Sequence, residues 1–254
     1  SHTPTTWVYA ADAGANKVVR WVVTADGSAH VPLSWTDWLE GPWGIAVNDL
    51  PDHPQQEYVF VTGTDLSGVR CIQVYDKWGN DWPGNRFKGD PGQNFVDPRG
   101  IAVGPNGNVF VADVARRVVE EFEGDDVVNA NSATVVNRYS LFTPASPFDV
   151  SVDLMRRVHV AANEFFPFPD GLIEVYRHGD VDPTWVINSA NRIQGVDAKG
   201  PTETRYSWDA GSGIELHTRT WMETVWPAHL SLQSFQAPGT PAASGPARPW
   251  CAAA

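Results

Sequence analysis

Cysteine is scarce in this 254-residue chain: Cys71 and Cys251 are the two present, too few for a disulfide framework and no guide to redox compartment. Long apolar runs are also missing. None approaches the roughly 20 residues that a membrane-spanning helix needs, so a soluble chain is expected. Basic charge is sparse, with 18 Lys and Arg against 30 Asp and Glu, and the net charge of -12 opposes a polyphosphate partner unless a basic patch interrupts it. The chain starts at SHTPTTW, with neither an initiator Met nor the basic and apolar regions of a signal peptide, as in a processed or truncated product.

Several signatures of chemistry are absent as well. No Gly-x-Ser-x-Gly elbow occurs, no Gly-x-Gly-x-x-Gly follows a strand pattern, and no Gly-Lys-Ser/Thr phosphate loop exists. The seven histidines, His2, His30, His53, His159, His178, His217 and His229, show no paired metal-ligand spacing. Nucleotide chemistry and a histidine metal site are therefore not expected.

What is abundant is turn chemistry. With 22 Gly, 20 Pro, little Lys and no long helical period, the composition points to turn-rich β structure of an extracellular or cell-envelope kind. The clearest stretch is DPRGIAVGPNGNVFVADVARRVVEEF at 97–122: a short apolar strand from Gly100 to Val103, a Pro-Asn-Gly-Asn turn at 105–108, and a strand from Val109 to Ala112. After the loop that begins at Asp113 comes a third strand from Val118 to Phe122, which reads as closing on the acids Glu120 and Glu121.

The same order recurs. GPWGIAV at 41–47 precedes YVFVTG at 58–63 and RCIQVYD at 70–76; SPFDVSV at 146–152 precedes RVHVAAN at 157–163 and GLIEVYRH at 171–178. A weaker copy runs through 192–218, and WVYAADAGANKVVRWVV at 7–23 supplies the latter part of another. Pro42, Pro98 and Pro147 are spaced by 56 and 49 residues. A fourth strand is expected in each interval, at 31–39, loosely 85–95, 137–142 and 184–188. Four strands per unit of roughly 40–55 residues is the pattern of propeller blades.

DPRGIAVGPNGNVFVADVARRVVEEFEGD resembles an NHL repeat: Pro, a variable residue, Gly, an apolar strand, a Pro-Asn-Gly turn, a strand ending in Ala-Asp, and a third strand. The resemblance is good at 97–124, fair at 7–23, 41–76 and 146–178, and covers about two-thirds of the chain. It implies an all-β propeller of NHL type over 1–235, with five to six blades of four antiparallel strands; because the first unit lacks its opening strand, either the last unit is spent on closure or the ring is incomplete. Residues 236–254, rich in Pro, Ala and Gly, are expected to be a linker or disordered tail.

On this reading Gly44 and Gly100 are small because inner strands converge on a narrow axis, and Asp149 stands where packing predicts Gly. Asp12, Asp113, Asn163 and Asp209 end second strands, where a short acceptor takes hydrogen bonds from the next turn; Gly63 interrupts the series. The variable residue between Pro and Gly falls at the channel mouth, which singles out Trp43, Arg99, Phe148 and, in the weaker copy, Gln194. An aromatic, cationic, aromatic set can either plug the channel or stack on a planar ligand. Loops after the second strands bring Asp65, Arg116, Arg117, Glu164, Phe165 and Phe166 to the same face. NEFFPFPDG at 163–171 is the longest and most apolar of those loops.

Functional expectations follow from the resemblance. The first is non-catalytic recognition of a protein, peptide or glycan, without a cofactor, by a bacterial propeller. The second is an enzyme: EGPW at 40–43 resembles the Glu-Gly-Pro turn of gluconolactonase-like enzymes, which implies a divalent cation such as calcium on Glu40 and Asp149, although Pro98 and Arg99 stand where Asn ligands belong. Peptide-amidating lyases share similar propellers but depend on histidine-bound zinc, for which the histidines here are poorly placed. The third is RNA binding, for which Arg99, Arg116 and Arg117 form a small positive cluster against the overall acidity.

Overall fold

A computed structural model describes residues 6–24, 33–35, 39–50, 56–141, 144–163, 171–189, 193–199, 203–208, 213–218 and 231–235. Five antiparallel sheets follow one another along these residues. The first holds β1 (Thr6–Asp12), β2 (Lys17–Val23) and β3 (Leu33–Trp35) in that order. In the second, β4 (Leu39–Glu40) and β5 (Ile45–Val47) both pair with β6 (Val59–Asp65), followed by β7 (Arg70–Tyr75) and β8 (Asp81–Phe87).

A small hairpin, β9 (Gly89–Asp90) with β10 (Gln93–Asn94), leads into the third sheet: β11 (Pro98–Val103), β12 (Val109–Asp113), β13 (Val118–Phe122) and β14 (Asn137–Ser140). A short helix, α1 (Gly124–Asn129), lies between β13 and β14. The fourth sheet is β15 (Ser146–Val152), β16 (Val158–Asn163), β17 (Gly171–Tyr176) and β18 (Trp185–Ser189); the fifth is β19 (Ile193–Lys199), β20 (Glu203–Trp208), β21 (Gly213–Thr218) and β22 (Ser231–Phe235). Among the described residues no strand pairing joins the fifth sheet to the first.

Strand alternation explains how these sheets stack. Along β6, Val59 and Val61 join Val18 of the first sheet, while Phe60 joins Ile101, Val109 and Val111 of the third. Along β12 the same division holds: Val109 and Val111 face the second sheet, and Phe110 and Ala112 pack with Val150, Val158 and Val160 of the fourth. Both faces are buried, which is why these strands read as unbroken apolar runs. The largest cluster is sealed by Phe122, edge-on to Phe87 and Phe95 at centroid distances of 4.9 and 5.8 Å. Each such ring stabilises the fold by about 1.5–3 kcal/mol through burial.

Two sequence expectations need correcting. Glu120 and Glu121 lie within β13 rather than stopping it, and both are fully buried. Glu120 accepts from Arg116 and Arg138, and Glu121 from Asn108, Asn137 and the Tyr139 hydroxyl, so these anions are buried with partners. The stretch 85–95 does not hold the single strand that the repeat pattern assigns to it: β8 ends at Phe87 and the hairpin β9–β10 follows. The fourth strands at 137–140 and 185–189 lie where the pattern places them. The proposed tail at 236–254 lies outside the described residues.

Candidate functional site

The innermost strands of successive sheets lie side by side, and each carries an irregularity at the same place. Pairing shifts register between Pro98 and Ile101, between Pro147 and Asp149, and between Ile193 and Gly195; in the second sheet the break falls between Glu40 and Ile45. A bulge leaves one residue unpaired and re-aims its side chain. Arg99 and Phe148 fall in such one-residue shifts, whereas Trp43 lies in the wider break between β4 and β5, where its N–H donates to the Thr62 carbonyl at 3.0 Å.

The glycines after Trp43 and Arg99 are dictated by the neighbouring strand, and Asp149 takes the corresponding place after Phe148. A Cβ on Gly44 would overlap the Arg99 carbonyl oxygen, and one on Gly100 would overlap the Asp149 Cα and lie 2.8 Å from its Oδ1. Side-chain hydroxyls and a carboxylate then stitch the seams. The Thr62 hydroxyl donates to the Arg99 carbonyl at 2.6 Å and accepts from the Gly44 N–H at 2.9 Å. Asp149 Oδ2 accepts from the Val196 N–H at 3.0 Å, and the Ser151 hydroxyl accepts from the Ala198 N–H at 2.9 Å.

This close approach brings the three variable residues together. The Arg99 guanidinium carbon lies 4.5 Å from the centroid of the Trp43 ring and 5.1 Å from that of Phe148, within cation–π range of both. Asp97 fixes the guanidinium from the side: its Oδ2 accepts from Nε at 3.2 Å and lies 3.1 Å from Nη2. Trp43 is 52% exposed and Phe148 partly so. The result is a cation clamped between aromatic residues at the end of the inner strands, with its surroundings open to solvent on the Trp43 side.

Asp149 follows Phe148 and bridges from Gly100 on β11 to Val196 on β19. Desolvation pushes its carboxyl up to about 6, with the Asp197 charge adding to the rise and the Val196 and Val150 N–H groups opposing it. Such a group changes protonation near neutral pH and can give or take a proton.

The remaining residues singled out in the sequence are placed otherwise. Asp65 is buried, and its Oδ1 accepts from Ser67 N, Ser67 Oγ and Val69 N. These bonds, after the opposing effect of burial, hold its carboxyl below the usual range and commit it to the turn. Asp65 thus fills the turn role that the sequence pattern gave to the position of Gly63, because β6 runs two residues longer than the alignment of repeats requires. Asp12 and Asp113 take the same role, accepting from Ala15 N at 2.9 Å and Arg116 N at 3.1 Å.

Arg116 is likewise committed: it makes two bonds to Glu120, at 2.7 and 2.9 Å, and two to Gln93. Its charge is spent on a buried partner, which removes it from a basic surface. Glu164, Phe165 and Phe166 lie outside the described residues, and of Gln194 only the backbone in β19 is described. Glu40 is exposed and its backbone pairs with Thr64. Among the described residues no three His, Cys, Asp or Glu side chains converge as a metal site, so Glu40 and Asp149 gain no third ligand there.

The sequence missed the contribution of Asp97. A carboxylate two residues before a cation in an extended segment is the signal that could have found it, since alternate side chains share a face.

No family model matches the chain, and no curated protein matches it. Solved structures do. Selenomethionine-substituted virginiamycin B lyase from Staphylococcus aureus superposes with a TM-score of 0.52 at 14% identity, over 93% of this chain and 70% of that one. A putative oxidoreductase (glucose dehydrogenase) from Thermus thermophilus gives 0.52 at 12% identity, over 91% and 87%. A luciferin-regenerating enzyme gives 0.50 at 12% identity, over 82% and 71%. At these identities the likeness concerns the fold: a β-propeller-like stack of antiparallel sheets.

Proposed function

We propose that the chain is a propeller of NHL-type repeats that binds a small organic molecule where Trp43, Arg99 and Phe148 meet, and that it acts as an enzyme on that molecule. The observation that carries this reading is the clamped guanidinium: a rigid, partly desolvated cation between two aromatic rings is a binding surface for a planar, polar ligand. Two further observations support it. Burial pushes the carboxyl of Asp149, beside Phe148, up to about 6, a direction that suits it to proton transfer. The similar structures include a lyase, a putative oxidoreductase and a luciferin-regenerating enzyme, so a propeller-like stack of this kind is compatible with catalysis.

No catalytic step is assigned to a metal. Glu40 and Asp149 supply oxygen ligands of the type a divalent ion prefers, but one is exposed on β4 and the other already accepts from Val196, and no third ligand joins them among the described residues. The chain's own groups supply the binding surface: Trp43 and Phe148 partly cover the Arg99 guanidinium, and Asp97 orients it.

The test is a screen of small planar molecules, lactones among them, by saturation-transfer NMR against the wild type and the triple variant Trp43→Ala, Arg99→Ala, Phe148→Ala. Ligands that bind the wild type and not a folded triple variant support the reading. Ligands that bind both equally well would remove it.

A second reading, recognition of a protein, peptide or glycan, draws on a different observation. Trp43, Leu66 and Val96 are exposed by 52%, 59% and 55%, and all three lie at the end of the sheets where β6 and β12 finish. Partner capture that survives loss of the Arg99 guanidinium but not of these apolar residues would favour it.

A further inference from the structure

We infer that the mouth site takes a planar aromatic carboxylate, with its ring against the exposed Trp43 indole and its carboxylate on the open edge of the Arg99 guanidinium. This deepens the small-molecule reading above and rests on it. A guanidinium presents two edges that can each hold a pair of acceptors, Nε with one Nη and the two Nη together. A single oxygen of Asp97 occupies the first edge, contacting Nε at 3.2 Å and Nη2 at 3.1 Å. Among the described residues Nη1 has no hydrogen-bond acceptor, so the second edge is left for a ligand.

The chemistry of that edge selects the acceptor. Two oxygens at the spacing of the two Nη groups belong to a carboxylate or a phosphate, and neither an amide nor an alcohol offers them. A phosphate dianion meets stronger repulsion from Asp97 and from a chain with net charge -12, which favours the monoanionic carboxylate. The rings at 4.5 and 5.1 Å leave the Arg99 side chain 26% exposed, and this partial desolvation strengthens a charged hydrogen bond made at its edge. Trp43, 52% exposed, supplies the stacking surface that makes the ligand's planarity matter.

The probes are 2-naphthoate and its neutral counterpart 2-naphthamide, titrated into the wild type and into Arg99→Gln, Trp43→Ala and Asp97→Asn variants, with binding read by saturation-transfer NMR and calorimetry. Near-ultraviolet circular dichroism checks the fold of each variant. The inference expects naphthoate to bind roughly tenfold or more tightly than naphthamide. That preference should vanish in Arg99→Gln and persist in Asp97→Asn, and Trp43→Ala should weaken both probes. Equal binding of the two probes, still weakened by Trp43→Ala, would overturn the carboxylate assignment while leaving a small-molecule site at the mouth. No binding of either probe, or binding indifferent to every substitution, would overturn both.

Discussion

Arg99 and Trp43, 56 positions apart in the chain, meet with the guanidinium carbon 4.5 Å from the indole centroid. The contact exists because Gly44 lets β11 press against the segment between β4 and β5 that carries Trp43. A double-mutant cycle on Trp43→Ala and Arg99→Ala, read by chemical denaturation, should give a favourable coupling of about 0.5–1 kcal/mol. Additive losses would mean that the two side chains do not interact in solution.

Gly100→Ala should destabilise the protein by about 2–3 kcal/mol, because the new Cβ meets the Asp149 backbone of the adjacent strand and backbone yields little. Gly41→Ala is the control. Nothing lies within 4 Å of its Cβ, and its φ of +52° makes the cost conformational alone, at about 1 kcal/mol. Thermal or denaturant midpoints that shift equally in the two variants would argue against the close seam.

Thr62→Val keeps the volume and removes the hydroxyl that joins Gly44 N–H to the Arg99 carbonyl across two sheets. Two backbone groups then lose their partner, at a cost of about 1–3 kcal/mol. Hydrogen exchange at the Gly44 amide should speed up in the variant; an unchanged rate would show that the bridge is not formed.

Asp149 gives a pH signature with a defined sign. Its folded-state pKa, about 6, is above the ordinary value of 3.8, so the neutral form is the one the fold favours. Its contribution to stability is complete below pH 3.8 and is lost as pH rises through 6. Asp149→Asn avoids ionisation and retains an acceptor for Val196 N–H. The variant should therefore match the wild type near pH 3.5 and exceed it above pH 6.5 by about 1–3 kcal/mol. Asp65, Glu121 and Asp153, whose carboxyls are held low by hydrogen bonds, act in the opposite sense as pH falls, so the comparison is made between the two proteins at each pH.

The repeat was legible because each of its residues answers a local demand. Pro105, Asn106 and Gly107 make the turn, apolar residues at Val109 to Val111 fill both faces, and Gly100 clears the neighbouring strand. That Trp43, Arg99 and Phe148 come together follows from their common offset before the close approach of the inner strands at Gly44 and Gly100. What the pattern hid depends on partners distant in sequence. Glu120 read as part of an acidic strand end, and its burial rests on Arg138 from β14 and Arg116 from the turn, which enclose it. Asp65 and Arg116 looked available for ligands, yet the turn at 65–69 takes the first and Glu120 takes the second. The helix at 124–129 follows from no repeat at all; Val127 and Val128 hold it against the core.

The most direct measurement is the set of assigned Trp indole resonances, with Trp43 identified through Trp43→Phe, followed during titration with a ligand from the small-molecule screen. The account predicts that the Trp43 indole and the Arg99 Nε–H shift together and saturate with one affinity, while the indole of Trp78, exposed elsewhere, stays in place. Shifts confined to Trp78, or saturation that leaves Trp43 and Arg99 unmoved, would contradict it.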